Sequence, residues 1–163
     1  MDQPLLVLLL PRRLERFALE EQARALLASP GVVAVDPARL PAGRLPPGLV
    51  AGLAMGQAKR MRLPGVPAAV AIFHPVQFYL AGALLARHPL AELWYGEPDL
   101  DEERAAAGPK ALARLEQVHA AAAERAALRF PTSGDLDLAP LLARMAELGV
   151  AAPLSGPSSA PAA

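Results

Sequence analysis

Short apolar runs recur along this chain, each separated from the next by a longer stretch with helical spacing. That alternation restricts the fold more than any other feature. The first run, Leu5-Leu6-Val7-Leu8-Leu9-Leu10, has no polar interruption and has the length of a strand. Such runs suit strands buried on both faces of a parallel sheet. Val32-Val33-Ala34-Val35 is β-branched and brief, and Asp36-Pro37 closes it. Three further runs, residues 68–73, 93–95 and 128–130, complete a set of five.

Helical patterns fill the intervals. Over residues 12–28, Leu14, Phe17, Ala18, Ala25 and Leu26 fall largely on one face, and Pro30-Gly31 stops the helix. Residues 38–48 are rich in Pro and Gly and read as a loop. Further helices are expected over 49–61, 76–87, 109–128 and 138–148. Pro109 suits the first turn of its helix, and Gly149 stops the last one. Strict β-α alternation requires right-handed crossovers between parallel strands. The expected fold is therefore α/β: a Rossmann-like parallel sheet of about five strands with helices on both faces. Residues 1–150 read as one such domain, and the Pro/Ser/Ala segment 151–163 as a disordered tail.

The formal net charge is zero, from 16 basic and 16 acidic residues, which argues against nucleic acid as a partner. The cluster Lys59, Arg60, Arg62 reads as a solvated helix end. No cysteine is present, which excludes disulfides and thiolate chemistry. The first apolar run is too short to span a bilayer, which takes about 20 apolar residues. Asp2 before it and Pro11-Arg12-Arg13 after it do not match a signal peptide. The sequence thus predicts a soluble, cytoplasmic protein without membrane insertion.

In open α/β sheets, ligands gather at the carboxyl ends of strands. That rule selects Asp36, His74, Tyr95, Glu97, Asp99, Thr132 and Ser133. His74 is the candidate catalytic residue, as a general base or a polar ligand contact. Its alternative role is a strand-end residue whose ring bonds a nearby backbone carbonyl. Glu97 and Asp99 can act as paired carboxylates, or Asp99 can cap a helix with Glu102 completing a capping box. Trp94 and Tyr95 point to opposite faces of their strand, so either both pack in the core, or one does while the other stacks on a sugar. Ser133 lacks the G-x-S-x-G elbow of α/β hydrolases and reads as a turn or cap. His88 and His119 lie on helices, are expected to be solvated, and lack metal-ligand spacing with each other or with His74. No G-x-G-x-x-G follows the first run and no P-loop is present, so no dinucleotide or ATP cofactor is expected, and the histidine spacing gives no metal site either.

Four stretches together resemble a known family. They are residues 13–28 leading into Val32-Val33-Ala34-Val35-Asp36-Pro37, then Val70-Ala71-Ile72-Phe73-His74-Pro75, then residues 91–99, and finally residues 115–125 leading into 128–133. Over residues 5–136 the chain resembles the N-terminal, acceptor-side half of bacterial GT-B-fold glycosyltransferases. The resemblance implies acceptor binding, with a sugar as ligand. It also implies a donor-domain partner, because that family's sugar-nucleotide half has no counterpart among these residues. The other expectation is a non-catalytic regulatory or scaffolding module, including a homo-oligomer.

Overall fold

A computed structural model describes residues 2–10, 20–36, 40–132 and 137–152. The strands are β1 (Pro4–Leu9), β2 (Val32–Val35), β3 (Val66–Ile72), β4 (Glu92–Glu97) and β5 (Leu128–Pro131). The helices are α1 (Glu20–Leu27), α2 (Pro47–Arg60), α3 (Phe78–Arg87), α4 (Asp101–Ala106), α5 (Pro109–Arg125) and α6 (Ala139–Glu147). A 3₁₀ turn, Pro75–Gln77, leads into α3. The expected helix over 12–19 and the tail from 153 lie outside the described residues.

All five strands are parallel, in the order β2-β1-β3-β4-β5. This is a doubly wound α/β sheet with a topological switch between β1 and β3. The unbroken leucine run now has its physical reason, since β1 is central and Leu6, Val7, Leu8 and Leu9 are all fully buried. Val7 and Leu9 pack with Val50 and Ala54 of α2, Leu80 and Leu84 of α3 and Ala122 of α5. Leu6 and Leu8 pack on the opposite face with Leu26 of α1 and with Leu141 and Met145 of α6. Helices therefore cover both faces.

Strand β3 begins earlier than the run 68–73 suggests, because a bulge accommodates Pro67. Leu5 pairs with Pro67 and Leu6 with Ala69, so Ala68 is the extra residue. Proline has no N–H for the ladder, and a bulge tolerates that gap within a sheet. Helix α6 ends on Gly149 at φ 72°, where Val150 N–H donates to Met145 O and Gly149 N–H to Ala146 O. This is the glycine-terminated cap that stopped the helix in sequence. No helix among the described residues is long and apolar enough to cross a membrane.

Candidate functional site at the strand carboxyl ends

The carboxyl ends of β3, β4 and β5 carry three linked polar groups. The first is built on the turn after β3. His74 caps the 3₁₀ turn, and its Nδ1 accepts from Val76 N–H at 3.1 Å. That bond fixes the neutral tautomer with the proton on Nε2. Nε2–H then points to the Glu103 carboxylate, at 2.8 Å from Oε1 and 3.0 Å from Oε2. Both ring nitrogens are thus engaged. The ring bonds backbone, but it accepts from an N–H where the alternative role expects a bond to a carbonyl.

Beneath it lies Gln77, a residue that the strand-end rule does not select. Its Oε1 accepts from Phe73 N–H at 2.8 Å and from His74 N–H at 3.2 Å. Its Nε2 donates to Leu9 O at 2.7 Å, which ties β1 to the end of β3 across the switch point. The available sequence signal is a Gln three residues after a polar strand-end residue, the spacing of a capping box.

The second group surrounds Tyr95. Trp94 and Tyr95 do point to opposite faces, but both are fully buried, so neither ring is free to stack on a sugar. The Tyr95 hydroxyl lies 2.8 Å from His119 Nδ1, and the rings meet edge to face. His119 is therefore a partly buried partner of Tyr95 rather than a solvated histidine. Burial pushes the Tyr95 hydroxyl above its ordinary range, and the nearby Glu97 carboxylate adds to the shift.

The third group lines a cleft of about 450 Å³ at the ends of β4 and β5. Glu97, Asp99, Arg104 and Arg129 supply its polar groups, over apolar surface from Pro98, Leu100, Phe130 and Pro131. Arg129 Nε donates to Glu97 Oε1 at 2.5 Å, and this bond holds the Glu97 carboxyl below its ordinary range. Arg104 donates through Nε to Glu116 at 2.5 Å and lies 3.5 Å from Asp101. Asp99 turns the chain: its Oδ1 accepts from Asp101 N–H at 2.9 Å. Leu100, not Asp99, occupies the cap position of α4, and it makes no side-chain cap bond, so the expected capping box with Glu102 does not form. Thr132 is buried and donates from its hydroxyl to Glu97 O at 2.8 Å.

Helix α4 joins these groups, since adjacent residues Glu103 and Arg104 reach His74 and the cleft respectively. Asp36 does not join them. It is exposed at the end of β2, three strand positions from β4, or about 14 Å at the usual strand spacing. Ser133 lies outside the described residues. Among the described residues no group of three His, Cys, Asp or Glu side chains could hold a metal. The chain matches no protein-family model, no curated protein and no solved structure.

Proposed function

We propose that the chain is the acceptor-side unit of a sugar-transfer system, working with a separate donor-binding unit. The cleft at the ends of β4 and β5 carries this reading. Among the described residues, two arginines and two carboxylates line it over an apolar floor. A sugar offers hydroxyls that both donate and accept, and a ring face that is largely C–H. Charge-assisted hydrogen bonds to fixed Arg and carboxylate groups suit the hydroxyls. The balanced charge of the cleft favours a neutral polyol over a bare anion. Beside it, the His74–Glu103 pair offers an acceptor hydroxyl a carboxylate to bond, with His74 holding that carboxylate in place.

The test is thermal unfolding of the protein with a panel of glycosides and sugar nucleotides. A ligand present at about 100 times its Kd stabilises the native state by about 2.7 kcal/mol. The expected result is a shift with at least one glycoside that is lost in Arg129→Ala and reduced in His74→Ala, each compared with its own ligand-free baseline. No shift with any compound, or one indifferent to both substitutions, would count against the proposal.

The second reading is a non-catalytic regulatory or scaffolding module. It is favoured by the exposed apolar residues Leu49 and Leu53 on α2, which are 58% and 47% exposed. A well-folded protein with no ligand shift would select it.

A further inference from the structure

A second concavity lies on the outer surface of the helical layer formed by α2, α3 and α5, and it shares no residue with the strand-end cleft. Its volume is about 450 Å³. Pro47, Ala51 and Met55 form one wall, spaced four residues apart along α2. Val118 and Ala121 belong to the opposite wall on α5. The floor is α3, where Gly82 leaves open space: a Cβ there would meet nothing within 4 Å. The result is an apolar trough between two helices, running over a third.

Its charge is one-sided. Arg114 and Arg125 line the α5 wall, and among the described residues no acidic residue lines the groove. Arg125 stands in the last turn of α5, where a cation offsets the helix dipole. Arg114 stands in the second turn, so the dipole does not account for it. It is partly buried, and its Nη1 donates to Leu45 O at 3.4 Å. Arg125 is exposed and forms no ion pair among the described residues. The two arginines thus bracket the apolar stretch, separated by about 16 Å at 1.5 Å per helical residue.

We infer that this groove docks one α-helix of a partner protein, amphipathic and acidic, over two to three turns. The α2 wall from Pro47 to Met55 spans about 12 Å, which matches that length. An amphipathic helix laid in a groove presents apolar anchors at i, i+4 and i+7. Acidic residues flanking those anchors meet Arg114 and Arg125, whereas a second copy pairing through the same groove would bring an identical basic rim. Charge complementarity therefore selects an acidic helix over self-association. This inference does not rest on sugar binding and holds or fails separately from it.

The test uses a helix-stapled peptide of about 14 residues with Leu at the anchor positions and Glu elsewhere, titrated by fluorescence anisotropy against the full chain. A matched peptide carries Lys in place of Glu. The expected result is saturable binding by the acidic peptide, at least about tenfold tighter than the Lys peptide and weakened by salt. Ala51→Glu and Arg125→Glu should each weaken it at least about tenfold. Both positions are exposed, and unfolding curves of the variants confirm that the fold is kept. Absence of saturable binding, equal affinity for the two peptides, or indifference to both substitutions overturns the inference. A dimer in sedimentation that Ala51→Glu abolishes would overturn it in favour of a second copy. Binding to vesicles of anionic phospholipid that Ala51→Glu abolishes, without peptide binding, would assign the face to a membrane instead.

Discussion

Gln77 reaches from the turn after β3 to the end of β1, where its Nε2 donates to the Leu9 carbonyl at 2.7 Å. The same side chain accepts from the backbone N–H groups of Phe73 and His74. One amide thus satisfies three backbone groups at the point where the sheet reverses its winding. Gln77→Leu has a similar volume and removes all three bonds. A buried group left unpaired costs about 1–3 kcal/mol, so the loss should reach at least about 2 kcal/mol in urea unfolding. Gln77→Glu keeps the acceptor but opposes a carboxylate to Leu9 O. It should regain stability as pH falls and the carboxyl becomes a donor. A Leu variant as stable as the parent would show that water replaces the amide there.

Gly96 stands where β4 meets the aromatic pair Phe73 and Phe130. A Cβ at this position would lie 2.8 Å from Phe130 Cε2, 2.8 Å from Thr132 Cγ2 and 2.9 Å from Phe73 Cδ1. The two rings pack edge to face at 6.1 Å and have little room to retreat. Gly96→Ala should destabilise the fold by about 1–3 kcal/mol, as expected for overpacking. Tm should fall by about 2–4 °C for each kcal/mol lost. The strain falls beside Glu97 and Thr132, so any glycoside that binds the cleft should bind this variant more weakly. An unchanged Tm would mean that β5 can shift outward.

Much of this arrangement can be read in sequence, because strand ends follow from run lengths. Leu5 to Leu10 announces a strand buried on both faces, and β1 proves central. His74, Glu97 and Asp99 reach the carboxyl edge of the sheet by position alone, since each follows the last buried residues of its strand. What escapes is set by tertiary contact. Glu103 is one of three consecutive acidic residues with nothing in sequence to single it out, and α4 delivers it to His74. Arg129 lies within the fifth run, and its bond to Glu97 depends on β5 lying beside β4. Tyr95 reads as a ligand contact until the α5 layer covers it. The bulge escapes because only the pairing of Pro67 with Leu5 places that proline inside β3.

Glu92 and Arg144 join the start of β4 to α6. Trp94 Nε1 also donates to Glu92 at 3.1 Å. The Arg144 hydrogen bond holds the Glu92 carboxyl below its ordinary value of 4.5, against the opposing effect of burial. A carboxylate with a lowered folded pKa contributes stability above its unfolded pKa and loses it as pH falls through the folded value. The contribution should therefore be complete at pH 7 and decline below about pH 4.5. Glu97, lowered by Arg129, acts in the same direction. Urea midpoints measured from pH 7 down to 3 should fall less steeply for Glu92→Gln than for the parent, from a lower starting value. Identical slopes would show that the pair is as favourable in the unfolded chain.

Arg129 offers the sharpest test of the cleft. Its Nε is committed to Glu97, and its side chain is 52% exposed along the cleft wall. The Glu97 bond fixes the guanidinium plane, which leaves the terminal amino groups as oriented donors for a ligand hydroxyl. Arg129→Lys keeps the charge and loses that geometry. If the cleft binds a polyol through oriented donors, Arg129→Lys should weaken a glycoside nearly as much as Arg129→Ala, at least about tenfold in each case. If the cleft only attracts charge, Lys should restore binding and the ligand should be an anion whose affinity collapses in salt. Calorimetric titration of both variants at low and high ionic strength separates the two outcomes. Glu97→Gln completes the set: it removes the carboxylate that orients Arg129 and should lower affinity even for a ligand that never touches Glu97 itself.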